Sequence, residues 1–320
     1  MNASSIYVIV SIIYGFPSVL LYIFSFFVII NFRKSFDSSF FNLYIYDGLF
    51  NLFTYFNGFV FLRLSSITCD TCFFASFFKN TSGIILNFVV AMTWHMAYVQ
   101  YGTTVLISSN RLSVLLKYNV LEPASFSEIT NVNKVYNFQV WRQFTWILVI
   151  LVYFMPFLDT YRYFVHTAEM KYYEETEGYT PISSVPINDS FAYLIPFMII
   201  STIGSVALNI TSLLFVKQVK LRKKNEVESN FLIIMSITCT AQLFGMVLSV
   251  SRVILAGTKV ANTLAQILPF VSDGLTLVQP WLLVVFCHSI RDKMRMTLGL
   301  KKSNVQAASS QILKDRSITT

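Results

Sequence analysis

Seven stretches of 20 or more mostly apolar residues run along this chain, and short polar segments separate them. They cover residues 7–30, 40–62, 83–107, 144–164, 191–216, 230–255 and 263–286. A helix rises about 1.5 Å per residue and a bilayer core is about 30 Å thick, so about 20 residues cross it. Lipid offers the backbone no hydrogen-bond partner, which leaves helices as the economical way to span it. The expected fold class is therefore an all-α membrane protein, a seven-transmembrane helix bundle. Composition agrees: 55% of residues are hydrophobic, 31 are Phe and only 12% are charged, against about 25% charged in soluble domains. A soluble fold of 320 residues could not hide that apolar surface and still present a charged exterior.

The first run is free of charge and follows only a few residues, with no basic region before it, so it reads as a retained span and not a cleaved leader. The second, sixth and seventh runs carry Asp47, Arg252 and Asp273. Charges at such depth are tolerated when they face the bundle interior. The seventh run is the least distinct, and without it six spans remain. No internal repeat is visible, which disfavours transporters built from inverted halves.

Cations fix the expected orientation, because cytoplasmic loops collect Lys and Arg. With the N-terminus outside, 18 of the 24 fall on the inner side and six at the outer side or span ends. The net charge of +8 could suggest nucleic acid, but its distribution between apolar runs points to membrane lipids instead. The loop 165–190 is acidic. The chain then divides into a short extracellular tail (1–6), the bundle (7–288), an amphipathic juxtamembrane helix (289–302) and a polar tail read as disordered (303–320). Three N-x-S acceptors, at Asn2, Asn80 and Asn188, fall outside and are glycosylation candidates; Asn209-Ile-Thr lies inside a span.

Enzyme motifs are missing: there is no H-E-x-x-H, G-x-S-x-G, P-loop or G-x-G-x-x-G. His95, His166 and His288 lie at different depths, so they build no metal site, and no cofactor is expected. Asp47 and Asp273 raise two readings. An intramembrane aspartyl protease needs a coupled pair, with G-x-G-D at the second aspartate, where this chain has Val271-Ser272-Asp273. The structural reading makes Asp47, Asn51 and Asp273 a polar cluster holding helices together, with Asp47 and Asn51 on one face at i, i+4. Arg111, after Asn110, ends the third run: it either reaches into the bundle or a partner, or snorkels as a membrane anchor. Pro280, in Gln279-Pro280-Trp281, permits a kink. Cys69 and Cys72, at C-x-x-C spacing in the first outer loop, either close a short disulfide or remain separate thiols.

Further residues carry a resemblance. They are Tyr14-Gly15-Phe16-Pro17-Ser18, Leu43-Tyr44-Ile45-Tyr46-Asp47 with Asn51, Asn110-Arg111 with Ser113, and Ser272-Asp273 with Gln279-Pro280-Trp281. Through about residue 300 the chain resembles the G-protein-coupled receptors, and among them the nematode serpentine chemoreceptors, most like class gamma. The resemblance implies a chemosensory receptor in the plasma membrane of a sensory cell, with a small-molecule odorant or pheromone as ligand and a heterotrimeric G protein as partner. It implies that Arg111 stands for the arginine of the receptors' D-R-Y motif, with Asn110 replacing the acid. The loop 165–190 has no Cys, so the usual disulfide from the third span to it cannot form. Depth within the third span suggests Asn87, Trp94, His95 and Tyr98 for the ligand. Asn110, Arg111, Lys217, Lys220, Arg222, Lys223 and Lys224 are the expected G-protein-coupling positions. A transporter or channel is the alternative, but it needs a continuous polar path, and the polar residues are scattered.

Overall fold

The computed structural model describes residues 3–120, 144–174, 177–220 and 226–300. Asn2, Arg222, Lys223, Lys224 and the tail 303–320 lie outside the described residues, as does the side chain of Lys220. Seven long helical segments form one bundle. Span one is Ala3–Asn31, so helix begins within the segment expected as an outer tail. Span two is Ser39–Gly58, prolonged by a π-helical turn Phe59–Leu64 and a 3-10 turn Ser65–Ile67. Spans three to seven are Ile84–Val120, Phe144–Thr160, Ile187–Lys220, Glu226–Ile254 and Lys259–Phe286. A further helix, His288–Thr297, follows span seven.

Burial is inverted relative to a soluble protein. Phe16, Phe154 and Ile200 are more than 60% exposed, while Asp47, Asn51, Asn110 and Gln242 are at most 3% exposed. Apolar side chains point out and polar ones in, as a bundle solvated by lipid requires. Among the described residues, only spans one, five, six and seven are both long and apolar enough to be membrane spans on their own. Spans two and three carry Asp47, Asn51 and Asn57, and Asn87, His95 and Gln100, and these inward residues lower their mean hydropathy. Pro156 interrupts span four: the helix turns at 155–156 before Phe157–Thr160 and a last turn Arg162–Val165.

Span three packs on spans two and five, six on five and seven, and seven closes the ring against one and two. Prolines are absorbed locally. Pro280 cannot donate to the Thr276 carbonyl four residues back, and the Tyr22 hydroxyl donates to that carbonyl at 2.8 Å. Helices also outrun their apolar runs. Span three continues to Val120, its 37 residues reaching about 55 Å, because hydrophobic windows end at the lipid boundary and helices need not.

At the outer end the acidic loop folds into an antiparallel hairpin, β1 Ala168–Tyr173 with β2 Gly178–Ser183, registered Ala168↔Ser183 to Tyr173↔Gly178. A Cβ on Gly178 would lie 2.3 Å from the Ser66 carbonyl oxygen, so the hairpin sits directly against the end of span two. Cys69 and Cys72 are joined in a disulfide, their Cα atoms 5.1 Å apart. At the inner end His288–Thr297 buries Ile290 and Met294 and leaves Thr297 and Leu298 exposed.

Candidate functional site

A cavity of about 210 Å³ lies in the outer half of the bundle. Spans two, three, five, six and seven all reach its wall, which includes Arg63, Trp94, Gln100, Met198, Ser249 and Asp273. The π-helical turn of span two matters here. It adds a residue to the turn, and Arg63, 7% exposed, points across the bundle. The Arg63 Nη2 donates to Asp273 Oδ2 at 2.7 Å and to the Pro269 carbonyl at 3.0 Å. The Tyr14 hydroxyl donates to the same carboxylate oxygen. One buried ion pair thus ties spans one, two and seven at the cavity wall.

Asp47 belongs to a different group. It accepts from Asn51 at 2.8 Å, with the Thr103 and Gln279 side chains beside it. Asn51 also reaches the Tyr22 hydroxyl at 3.4 Å. The single cluster expected from Asp47, Asn51 and Asp273 is therefore two clusters: Asp47 and Asn51 bond directly, and Asp273 pairs with Arg63. Gln279, next to Pro280, lies beside the first.

Of the four residues expected at the ligand, only Trp94 lines this cavity, with Tyr163 stacked beside it and Phe191 edge-on. The others hold neighbouring elements. His95 Nε2 lies 2.9 Å from the Tyr153 carbonyl, so that nitrogen carries the proton, and Nδ1 lies 3.2 Å from the Thr160 hydroxyl. His95 thereby braces span four on both sides of its break. Tyr98 donates to Asp159 at 2.7 Å, and Asp159 pairs with Arg162 at 2.9 Å. Asn87 donates to the Phe164 carbonyl at 3.3 Å and accepts from the Ala168 N–H at 2.9 Å, which pins the start of the hairpin.

At the inner end Arg111 is 5% exposed, its guanidinium carbon 3.9 Å from the ring centres of both Phe40 and Phe231. Spans two, three and six are joined there. Asn110 is fully buried and donates to Ser39 at 2.8 Å. Lys217 is exposed at the end of span five. Arg111 is therefore enclosed in the bundle in this conformation, and it is not a surface cation.

A family model for Srg family chemoreceptors matches residues 8–294, nearly the whole bundle. The chain belongs to the Srg chemoreceptor family. It is also similar to serpentine receptor class gamma-31 of Caenorhabditis elegans, 24% identical over 301 residues, which is 90% of each chain.

Within this Srg receptor the residues of the resemblance have visible work. A Cβ on Gly15 would fall 1.9 Å from the Tyr55 hydroxyl oxygen, so glycine there lets Tyr55 lie against span one. Ser18 accepts from the Trp281 indole at 2.8 Å, tying spans one and seven. The outer loops are tied as well. Asp70 pairs with Lys79 at 2.8 Å and accepts from Tyr179 at 2.6 Å. The Lys79 ammonium and the Tyr179 hydroxyl hold its carboxyl below the usual carboxylate range. Asn80 and Asn188 are exposed at this end, and Asn209 is buried against Ser108 and Ser205.

Sequence reasoning missed Arg63 and Gln100. Arg63 looked like an ordinary outer cation; the available signal was its place at the very end of the second apolar run, one cation facing one acid in the seventh. Gln100 lies on span three nearly two turns beyond Trp94 and carried no motif.

Proposed function

We propose that this protein is a chemosensory receptor of the plasma membrane of a sensory cell, binding a small molecule in the outer cavity and activating a heterotrimeric G protein at its inner face. The observation that carries the proposal is the cavity itself: five spans converge on it in the outer half, while the inner ends are closed around Arg111. A ligand that favours one arrangement of those spans shifts a preexisting equilibrium, and the shift reaches the inner ends through rigid helices. Asn110, Arg111, Lys217, Lys220, Arg222, Lys223 and Lys224 remain the proposed coupling positions, with Arg111 becoming available only when the inner end opens.

Catalysis has less support. An aspartyl protease needs two carboxyls sharing one proton, whereas Asp47 and Asp273 each have their own partners. The deciding experiment is nucleotide exchange on a G protein by the full chain in nanodiscs, screened with odorants and pheromones, beside ion and solute flux in liposomes. Ligand-dependent exchange without flux is the expected result. Flux without exchange would replace the receptor with a channel or transporter.

A further inference from the structure

The cavity's wall limits the chemistry of what it holds. Among the described residues, Arg63 and Asp273 are its only charged members, and they are paired with each other. Most other polar groups there are satisfied within the protein. Asn57 donates to Val89 and Thr93, Tyr101 to the Gln242 carbonyl, and Ser249 to the Gly245 carbonyl. Among the fully enclosed polar atoms of these wall residues, two donors are left without an acceptor: Arg63 Nη1 and Gln100 Nε2. The remaining wall is largely apolar, with Met92, Met96, Leu194, Met198, Leu268 and Leu275.

A buried donor without an acceptor is costly, and a ligand oxygen that meets it removes that cost. A charged ligand gains little, because either sign meets one like and one unlike charge at the Arg63–Asp273 pair and must also be desolvated. Size follows from volume. A dry cavity of about 150 Å³ accommodates benzene, so one of about 210 Å³ takes roughly eight to ten non-hydrogen atoms.

We propose that the cavity binds a small neutral molecule with an apolar body and one oxygen acceptor, such as a ketone or ester, with Gln100 Nε2 and Arg63 Nη1, enclosed in the wall here, turning toward it as its donors. This rests on reading the cavity as the receptor's ligand site.

The test uses the purified full-length chain in lipid nanodiscs, with empty nanodiscs correcting for partition into lipid. The probes are methyl hexyl ketone, n-octane, octanoate, octylammonium and the much longer methyl pentadecyl ketone. Methyl hexyl ketone is expected to bind about tenfold tighter than n-octane, the worth of one good hydrogen bond. The two ions and the long ketone are expected not to bind. Gln100→Leu should lower ketone affinity about tenfold and leave n-octane unchanged, with Gln100→Met serving where Leu lowers expression. Ala97→Phe, on the same wall, should block every probe. Tighter binding of octanoate or octylammonium than of the ketone would overturn the proposal, as would ketone binding indifferent to both the Gln100 and the Ala97 variants. Ketone binding with no nucleotide exchange would count against the coupling reading and for this one. Exchange driven by octanoate but not by the ketone would do the reverse.

Discussion

Arg63 and Asp273 stand 210 positions apart and share a hydrogen bond of 2.7 Å, with side chains 8% and 7% exposed. Removing one member of such a pair strands the other charge in a low-dielectric interior, at a cost of about 3–5 kcal/mol. Arg63→Met and Asp273→Leu should each lower the thermal midpoint of the detergent-solubilised receptor. The double variant should recover most of the loss; a double variant as unstable as the worse single would show that the pair is not an isolated unit. Arg111 gives a second test at this scale. A desolvated cation–π contact is worth about 2 kcal/mol, and the Phe40–Arg111–Phe231 stack holds span six to span three. Arg111→Ala should reach the surface and raise ligand-independent nucleotide exchange roughly thirtyfold, while losing most of the ligand-stimulated increment. Unchanged basal and stimulated exchange would reduce Arg111 to an anchor.

Among the elements, the hairpin and the spans were unequally legible. The spacing of Asp47 and Asn51 placed them on one face, and they bond there. The hairpin was missed, although Ala168, Met170 and Tyr172 alternate with Glu169, Lys171 and Tyr173, because a two-stranded element within an acidic loop gives only a short period-two signal. Sequence distance hid Arg63 from Asp273, and depth alone placed His95, Tyr98 and Asn87 at a ligand because it says nothing about which way a side chain faces. They turn toward span four and the outer loop instead. The hairpin's seat depends on close backbone approach at Gly178. Gly178→Ala is expected to lift the hairpin from span two and speed hydrogen exchange in residues 168–183. Unchanged protection would mean that Asn87 and the Asp70–Tyr179 bond suffice to hold it.

For the whole molecule, the cation distribution was readable before any coordinates, because topology depends on loop charge and not on side-chain contacts. An epitope before Met1 should be labelled on intact cells, and one after Thr320 only after permeabilisation; the opposite pattern would reverse the bundle and remove the coupling surface. The inward polar residues of spans two and three also bear on biogenesis. A ribosome-bound chain meets the translocon one segment at a time, and each segment partitions into lipid according to its own apolarity. Among the described residues, spans one, five, six and seven satisfy that criterion alone, while two and three do not. Their polar side chains have to find shelter against helices already in place or still being synthesised. A chain truncated after Val120 should therefore leave its third segment largely uninserted, detectable with an engineered glycan acceptor, whereas the full-length chain inserts it. The same asparagines and histidine that give the bundle its internal bonds would then make its assembly cooperative, and variants near span five could cause retention in the endoplasmic reticulum without touching any ligand.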